Sequence, residues 1–346
     1  TSDDTAGLPL PPPPQEPPAL VQPTRAQRPA SGKNGQSRVY VVDFKGTHPR
    51  FAAYFLKHAL RDCQSDKAAV PGVDRNVLHE LKVRVPDVVT QGLIASVLCT
   101  YDDLIENNRR RMVLLEDVAR QLYREWFVRL HFPGYEHTRI IDGVPEGWRS
   151  KMLGEIATKI GSGFTPRGGD SIYVAEGTPL IRSMNVYDDD FSEDGLAFVS
   201  EEHATALSGV TVESKDILLN ITGASVARCC MAPGRLLPAR VNQHVMIIRV
   251  DPIAANPFFV HKAINSDERK RQILSYAQKG STREALTKEM VSAFQIVLPT
   301  ENLMRRFGDH AASFFQQGEN LALQNKKLRT ARDLLLPPLM SGEIAV

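Results

Sequence analysis

The chain reads as an α+β protein in which a β-rich domain is combined with two long helices of coiled-coil type. Three observations lead there. The stretch from Gln91 to Phe127 carries a narrow apolar seam at alternating steps of four and three. A second stretch repeats that column at a constant offset of 213, the step from Ile94 to Phe307. Between them lie short apolar runs separated by turn formers.

The first long helix is read over residues 91–130. Its seam is Ile94, Leu98, Tyr101, Ile105, Asn108, Met112, Leu115, Ala119, Leu122 and Trp126, apolar or small except at Asn108. This is the a/d spacing of a coiled coil. No Gly or Pro stands between Leu93 and Phe132, so no residue in that run breaks a helix. At this length an α-helix makes a rod of roughly 55 Å. A seam so narrow needs a partner helix.

The partner is in the same chain, over residues 302–346. Phe307, Phe314, Leu321, Leu328 and Leu335 repeat, at that offset, the positions of Ile94, Tyr101, Asn108, Leu115 and Leu122. Upstream, DRNVLHELKVRVP (Asp74–Pro86) lies over TKEMVSAFQIVLP (Thr287–Pro299) in the same register. Further back, HPRFAAYFLKHAL (His48–Leu60) aligns with NPFFVHKAINS (Asn256–Ser266) at an offset of 208. One long repeat of short helix, strand and long helix organises the chain, which is not a solenoid.

The remaining segments differ in kind. Residues 1–37 hold nine of the 23 prolines and read as an extended, disordered tail. Residues 38–90 offer a strand at Val39–Phe44, helices at Pro49–Leu60 and Arg75–Glu80, and a strand at Leu81–Val85. That is a thin core for an independent domain. Residues 131–301 make a full-sized β-rich domain. Leu153–Gly163 leads into a Gly-rich loop, and Thr178–Val186, Asp216–Gly223, Val226–Pro233 and Gln243–Val250 read as strands. Helices over Pro257–Ala277 and Thr282–Val291 close it.

Length favours about two domains. A net charge of +2 leaves no strong overall field, so nucleic-acid binding would have to use local patches. Cys63, Cys99, Cys229 and Cys230 form no CxxC and read as reduced thiols of a cytosolic protein. No apolar run approaches ~18 residues and no secretory signal is visible, so no membrane span is expected.

Catalytic motifs are absent or incomplete. Gly163 and Gly168 have phosphate-loop spacing, but Gly169-Asp170 follow where Lys-Ser/Thr is needed. GxSxG and HExxH do not occur. Asp188-Asp189-Asp190 reads as solvated loop charge rather than a metal site, because octahedral sites need ligands converging from several segments. Asn256-Pro257-Phe258-Phe259 is one residue from the Asn-Pro-Pro-Phe/Tyr motif of adenine N6-methyltransferases. The second Pro is missing, and no strand–GxG–helix for a methyl donor precedes it. Asn256 therefore reads as the N-cap of a helix that Pro257 begins.

The polar loops suit binding better. Lys159, Ser162, Thr165 and Arg167 cluster around the Gly-rich loop. Arg182 and Asn185 end a strand. Thr222, Ser225 and Arg228 surround Gly223, Asn242 and Gln243 form a turn, and Lys279 and Ser281 precede a helix. Cations and hydroxyls suit phosphate oxygens, and Asn, Gln and Arg suit base edges.

PEGW (Pro145–Trp148), LGEIATKIGSGFTP (Leu153–Pro166), PLIRSMNV (Pro179–Val186), ILLNITGASVARCCMAP (Ile217–Pro233), VNQHV (Val241–Val245), NPFF and GSTREALTKEMVSAFQIVLP (Gly280–Pro299) follow in order. LLEDVARQLYREWFV (Leu114–Val128) and LLLPPLMSGEI (Leu334–Ile344) lie on the duplicated helices. Together, over residues 38–346, they resemble the specificity (S) subunit of type I restriction–modification systems. The resemblance implies two target-recognition domains, each reading half of a bipartite site in double-stranded DNA. It implies that the long helices pack antiparallel and hold those domains apart. A rod of roughly 55 Å is comparable with about 16 base pairs. It further implies docking of two methyltransferase (M) subunits and a restriction (R) subunit. The S subunit would be no enzyme and would hold no cofactor; S-adenosylmethionine, Mg²⁺ and ATP would belong to its partners, in a bacterial cytoplasm. Arg109-Arg110-Arg111 would be a solvated face or would meet DNA phosphate or an M subunit.

One departure qualifies the resemblance. Residues 38–90 match only the last part of a first recognition domain, and counterparts of PEGW through VNQHV are missing before residue 91. The expectation is a truncated first domain and one half-site reader, acting alone or paired with a second copy. Two alternatives stay open: a stand-alone adenine methyltransferase or nuclease, and a coiled-coil scaffold without DNA readout.

Overall fold

The structure, a computed structural model, describes residues 46–59, 83–164, 169–279 and 285–346. The Pro-rich tail, the expected strand at Val39–Phe44, the expected helix at Arg75–Glu80, Cys63, Thr165, Arg167 and Ser281 lie outside the described residues, as does the side chain of Lys279.

Five helices frame the molecule among those residues: α1 (Pro49–Ala59), α2 (Val88–Tyr123), α3 (Pro257–Asn265), α4 (Asp267–Lys279) and α5 (Glu301–Ser341). Helix α2 starts three residues earlier than the seam alone indicates. Asp87 caps it, its carboxylate accepting from Val89 N and Thr90 N at 3.0 and 3.1 Å. After Tyr123 the helix loosens into a π-helical turn, Arg124–Val128. Within α5, Pro337 and Pro338 sit in the last turns, and Gly342 ends it in the left-handed region at φ 78°.

The two long helices run antiparallel. Trp126 meets Phe307 at one end, Asn108 meets Asn325 in the middle, and Asp102 meets Arg332 beyond it. Leu98 and Ile94 close on Leu336 and Leu339 at the other end. Along α2 the seam residues Ile94, Leu98 and Ile105 are buried, and Tyr101, Met112, Leu115 and Leu122 are half-buried. Along α5, Phe307 and Leu321 are buried, and Phe314, Leu328 and Leu335 half-buried. An 18-residue window within Val88–Val128 reaches a mean hydropathy of 1.3, which length and composition alone would allow to cross a membrane. The charged and amide pairs along this helix instead bind it to α5.

The β-rich domain is inserted between the long helices. Its strands are β1 (Ile140–Ile141), β2 (Val144–Pro145), β3 (Arg149–Met152), β4 (Ala157–Ser162), β5 (Tyr173–Val174), β6 (Thr178–Ile181) and β7 (Ala197–Val199). They continue with β8 (Thr211–Val212), β9 (Ile217–Asn220), β10 (Cys229–Met231), β11 (Ala239–Val241), β12 (Val245–Val250) and β13 (Gln295–Leu298). One sheet has the order β10-β9-β12-β4, and a second has β5-β7-β6-β11-β8 with β6 and β11 parallel. The first sheet is covered on both faces, which is why its strands read as continuous apolar runs. Leu218, Cys230 and Ile247 face the second sheet. Leu219, Cys229 and Ile248 face α3 and α4.

The repeat is visible in three dimensions. Phe259 on α3 packs against Tyr123, Phe127 and Phe307, with ring centroids 5.8, 4.9 and 6.2 Å away. At the opposite end Phe51 on α1 packs with Leu336, Leu339, Met340 and Ile94. Leu336, Leu339 and Met340 are the repeat counterparts of Tyr123, Trp126 and Phe127.

Three expectations need correction. The helix expected over Thr282–Val291 spans Lys288–Ser292 among the described residues, because Ala285 instead bridges to Thr222 and Thr287 caps the helix. Residues 83–85 are not a strand. Their counterpart β13 is one because β3 pairs with it, and no described segment does this for 83–85. Val83 and Val85 are accordingly 46% exposed. The expected single helix over Pro257–Ala277 is two, α3 and α4, separated at Ser266, whose hydroxyl bonds Ala263 O at 2.8 Å.

Candidate nucleic-acid interface

The ends of four strands converge on one polar rim. The turn between β11 and β12 is its centre. Gly163 N donates to Asn242 O at 3.2 Å, Asn242 N to Ile181 O at 3.1 Å, and Ile221 N to His244 O at 3.0 Å. These bonds bring the ends of β4, β6 and β9 to the turn. Gly163 is required there, because a Cβ would lie 1.8 Å from Val241 O. On the rim, Thr222 Oγ1 and His244 Nδ1 are 2.6 Å apart, and Gln243 is exposed. Phe164 is 50% exposed.

The sequence-derived candidates at the described surface separate into three groups. Ser162, Arg182, Thr222 and Gln243 stand on the rim. Ser225 and Arg228 lie on the turn after it, where the Arg228 guanidinium covers the Tyr187 ring at 4.8 Å. The Arg182 guanidinium likewise covers Tyr173, at 5.3 Å, and bonds Gly195 O. Lys159 stands apart. It is opposite Arg249 in the β4–β12 ladder, and its Nζ donates to Gly209 O.

Asn185 and Asn242 are not surface readers. Asn185 is fully buried; its Oδ1 accepts from Arg182 N at 3.0 Å, and its Nδ2 donates to Ser192 O at 3.0 Å. Asn242 is 6% exposed and accepts from His244 N at 3.0 Å. Each amide is spent on backbone groups, so each shapes a turn instead of facing a ligand. His244 is a rim residue that the sequence candidates omit, although it stands within the VNQHV motif.

The triple aspartate is also a correction. Asp189 is no solvated loop charge: its side chain is 5% exposed. It accepts from Arg120 of α2 at 2.9 Å, and from Lys262 and Asn265 of α3 at 2.9 and 2.7 Å. Its backbone takes φ 58°, which turns the carboxylate inward. Burial alone would raise this carboxyl. The charge on Lys262 and the bonds from Lys262 and Arg120 outweigh that and hold it well below the usual carboxylate range. His261 lies 3.5 Å away, yet burial and the Lys262 charge lower its pKa to about 3, so it is neutral there. A cleft of about 800 Å³ opens beside this cluster, between α2, α5 and the domain. Across it Arg235 joins Glu193 of the domain, at 2.7 Å, to Glu319 of α5.

Asn256 caps α3. Its Oδ1 accepts from Phe258 N and Phe259 N at 3.0 and 3.3 Å, and Pro257 opens the helix. A side chain so engaged does not grip an adenine amine. Arg109, Arg110 and Arg111 are exposed on α2, the first two beside Glu106.

A domain carrying a polar rim, packed against an antiparallel helix pair, has the layout of a binding module on a helical support. The comparisons give that class a family. Over 304 residues the chain is 24% identical to the type I restriction enzyme MjaIX specificity subunit of Methanocaldococcus jannaschii, covering 86% of this chain and 68% of that protein. It is 21% identical to the type I restriction enzyme HindI specificity subunit of Haemophilus influenzae, covering 81% and 73%. The crystal structure of the type I restriction–modification S subunit from M. genitalium shares the fold, with a TM-score of 0.52 at 16% identity over 86% of this chain and 74% of that one. No protein-family model matches. The chain is a relative of the specificity subunits of type I restriction–modification systems.

Proposed function

We propose that the chain is the sequence-recognition subunit of a type I restriction–modification complex and reads a short half-site in double-stranded DNA. The single observation that carries this reading is the rim of Ser162, Arg182, Thr222, Gln243 and His244, assembled from four strand ends on a domain fixed to the helix pair. Hydroxyls and cations on such a rim suit phosphates, and amide and imidazole groups suit base edges. The helix pair is then the support that methyltransferase subunits grip, with a restriction subunit joining them. Adenine methylation and ATP-dependent cleavage fall to those partners, along with S-adenosylmethionine, Mg²⁺ and ATP. Residues 131–301 form the second recognition domain in this reading, and residues 38–90 the last part of the first. Lys279, Ser281, Thr165 and Arg167 are further candidates for DNA contact in this reading.

The test is co-purification with the cognate methyltransferase subunit, followed by selection from random duplexes at one stated salt concentration, since phosphate contacts are salt-dependent. Enrichment of one short motif supports the reading. A palindromic motif indicates two copies acting together. A complex that binds all duplexes alike refutes sequence readout and leaves the scaffold alternative.

A further inference from the structure

Besides the ion pairs of Arg235 with Glu319 and of Arg124 with Asp267, two clusters join the recognition domain to the helix pair. One is the aromatic cluster of Tyr123, Phe127, Phe259 and Phe307. Burial of these rings is non-directional in itself, and their edge-to-face contacts add a modest preference of orientation. The other is the ionic cluster at Asp189, one to two helical turns nearer the start of α2. There Lys262 bridges Glu116 of α2 and Asp189 of the domain, and Arg120 reaches Asp189 from the next turn. Charge-assisted bonds fix direction as well as distance. The first contact acts as a pivot, and the second sets rotation about it.

The Asp189 loop also leads to the binding surface. Asp189 N donates to Cys229 O at 3.0 Å, and Cys229 N donates to Asp188 Oδ1 at 3.2 Å. Asn265, already bonded to Asp189, donates to Cys229 O at 2.8 Å. Arg228, the preceding residue, stacks on Tyr187 of the same loop. Asn220 Nδ2 bonds Ser183 O at 2.9 Å and ties this loop's start to the strand that ends on the rim. A continuous set of bonds runs from α2 through Asp189 to Arg228 and the rim.

We propose that Asp189 is a positioning residue which fixes how the recognition face is turned relative to the helix pair. Its consequence for DNA rests on the recognition function proposed above. Burying one carboxylate between cations of two helices is costly as a source of stability. It is well suited to selecting one arrangement, since any other rotation parts Lys262 from Glu116 and Asp189 from Arg120, and so takes one partner from a buried lysine and one from a buried carboxylate.

The experiment uses the full chain, labelled for pulsed EPR through azide-bearing residues at Arg110, 75% exposed on α2, and at Thr205, exposed on the domain. Wild type is expected to give one narrow distance distribution. Asp189→Asn is expected to broaden it or add a second distance. Arg120→Gln removes the direct bond from α2 to Asp189, leaves Asp189 with Lys262 and Asn265 and Lys262 with Glu116, and serves if Asp189→Asn does not fold. A role limited to stability would lower Tm and leave the distribution of the folded protein unchanged. Distributions superimposed on wild type therefore overturn the proposal. On the duplex selected by wild type, Arg120→Gln should lower affinity by about fivefold or more while keeping the ranked sequence preference. Unchanged affinity in a protein with a broadened distribution overturns the link to DNA. If wild type selects no duplex, the recognition function fails, and the distance data still judge the positioning role on their own.

Discussion

Asn108 and Asn325 meet in the middle of the helix pair, Nδ2 to Oδ1 at 3.0 Å, with both residues buried. They are the polar step in an otherwise apolar seam, and any slip of one helix along the other would bury an unpaired amide. Asn108→Leu alone should cost about 1–3 kcal/mol by stranding Asn325. The double variant Asn108→Leu/Asn325→Leu should melt at or above the wild-type temperature. Thermal unfolding followed by circular dichroism checks both. A single variant as stable as wild type would mean that the amide pair does not set the register.

Gly308 lies on the third turn of α5, where the Asn256 side chain leaves no room. A Cβ would fall 2.1 Å from Asn256 Nδ2. In an isolated helix Gly→Ala is stabilising. Here Gly308→Ala should instead destabilise by about 1–3 kcal/mol, through overpacking against the cap of α3. Denaturant titration gives the sign directly.

The rim and its flank should behave differently toward DNA. His244→Ala should cost about 1–3 kcal/mol of discrimination at one base pair, with little change in salt dependence. Arg228→Ala should weaken all duplexes alike and reduce the slope of log affinity against log salt by about one. Binding of matched and single-mismatch duplexes over a salt series separates the two effects.

Stability should fall with acidification in two windows. His261 has its pKa lowered to about 3 in the folded protein from 6.5. Protonation therefore favours the unfolded chain, and its contribution, present above 6.5, is lost as pH falls from there toward 3. Asp189 is depressed from 3.8, so its contribution is fully present above that value and lost below it. His261→Gln should flatten the upper window and leave the lower one in place. Tm measured across that pH range, for wild type and variant, is the check.

Much of this architecture is legible in the chain because its signals are local or repeated. The Asn256-Pro257 cap is written in adjacent residues. The seam and its copy, from Ile94 to Phe307 and onward, are periodic, so the helix pair can be read without any knowledge of contacts. The burial of Asp189 has no such signal. Its partners Arg120 and Lys262 are 69 and 73 residues away, and three consecutive carboxylates look like solvated charge until the chain turns one inward. Asn185 escapes a sequence reading for the same reason. An amide that bonds backbone seven residues on is indistinguishable in one dimension from an amide that reads a base. The rim itself depends on β6 and β11 lying side by side, a parallel pairing that no spacing announces.

The aromatic cluster at the junction constrains how recognition domains can be exchanged between chains. A graft cut where the long helices begin and end would bring Phe259 with the new domain and keep Tyr123, Phe127 and Phe307 in the recipient. The joint would then run through a packed core in which four rings have mutually chosen their positions. Exchange of reading specificity is therefore open only among chains that hold this set of rings in common, and the cluster works as a coupling standard between interchangeable parts.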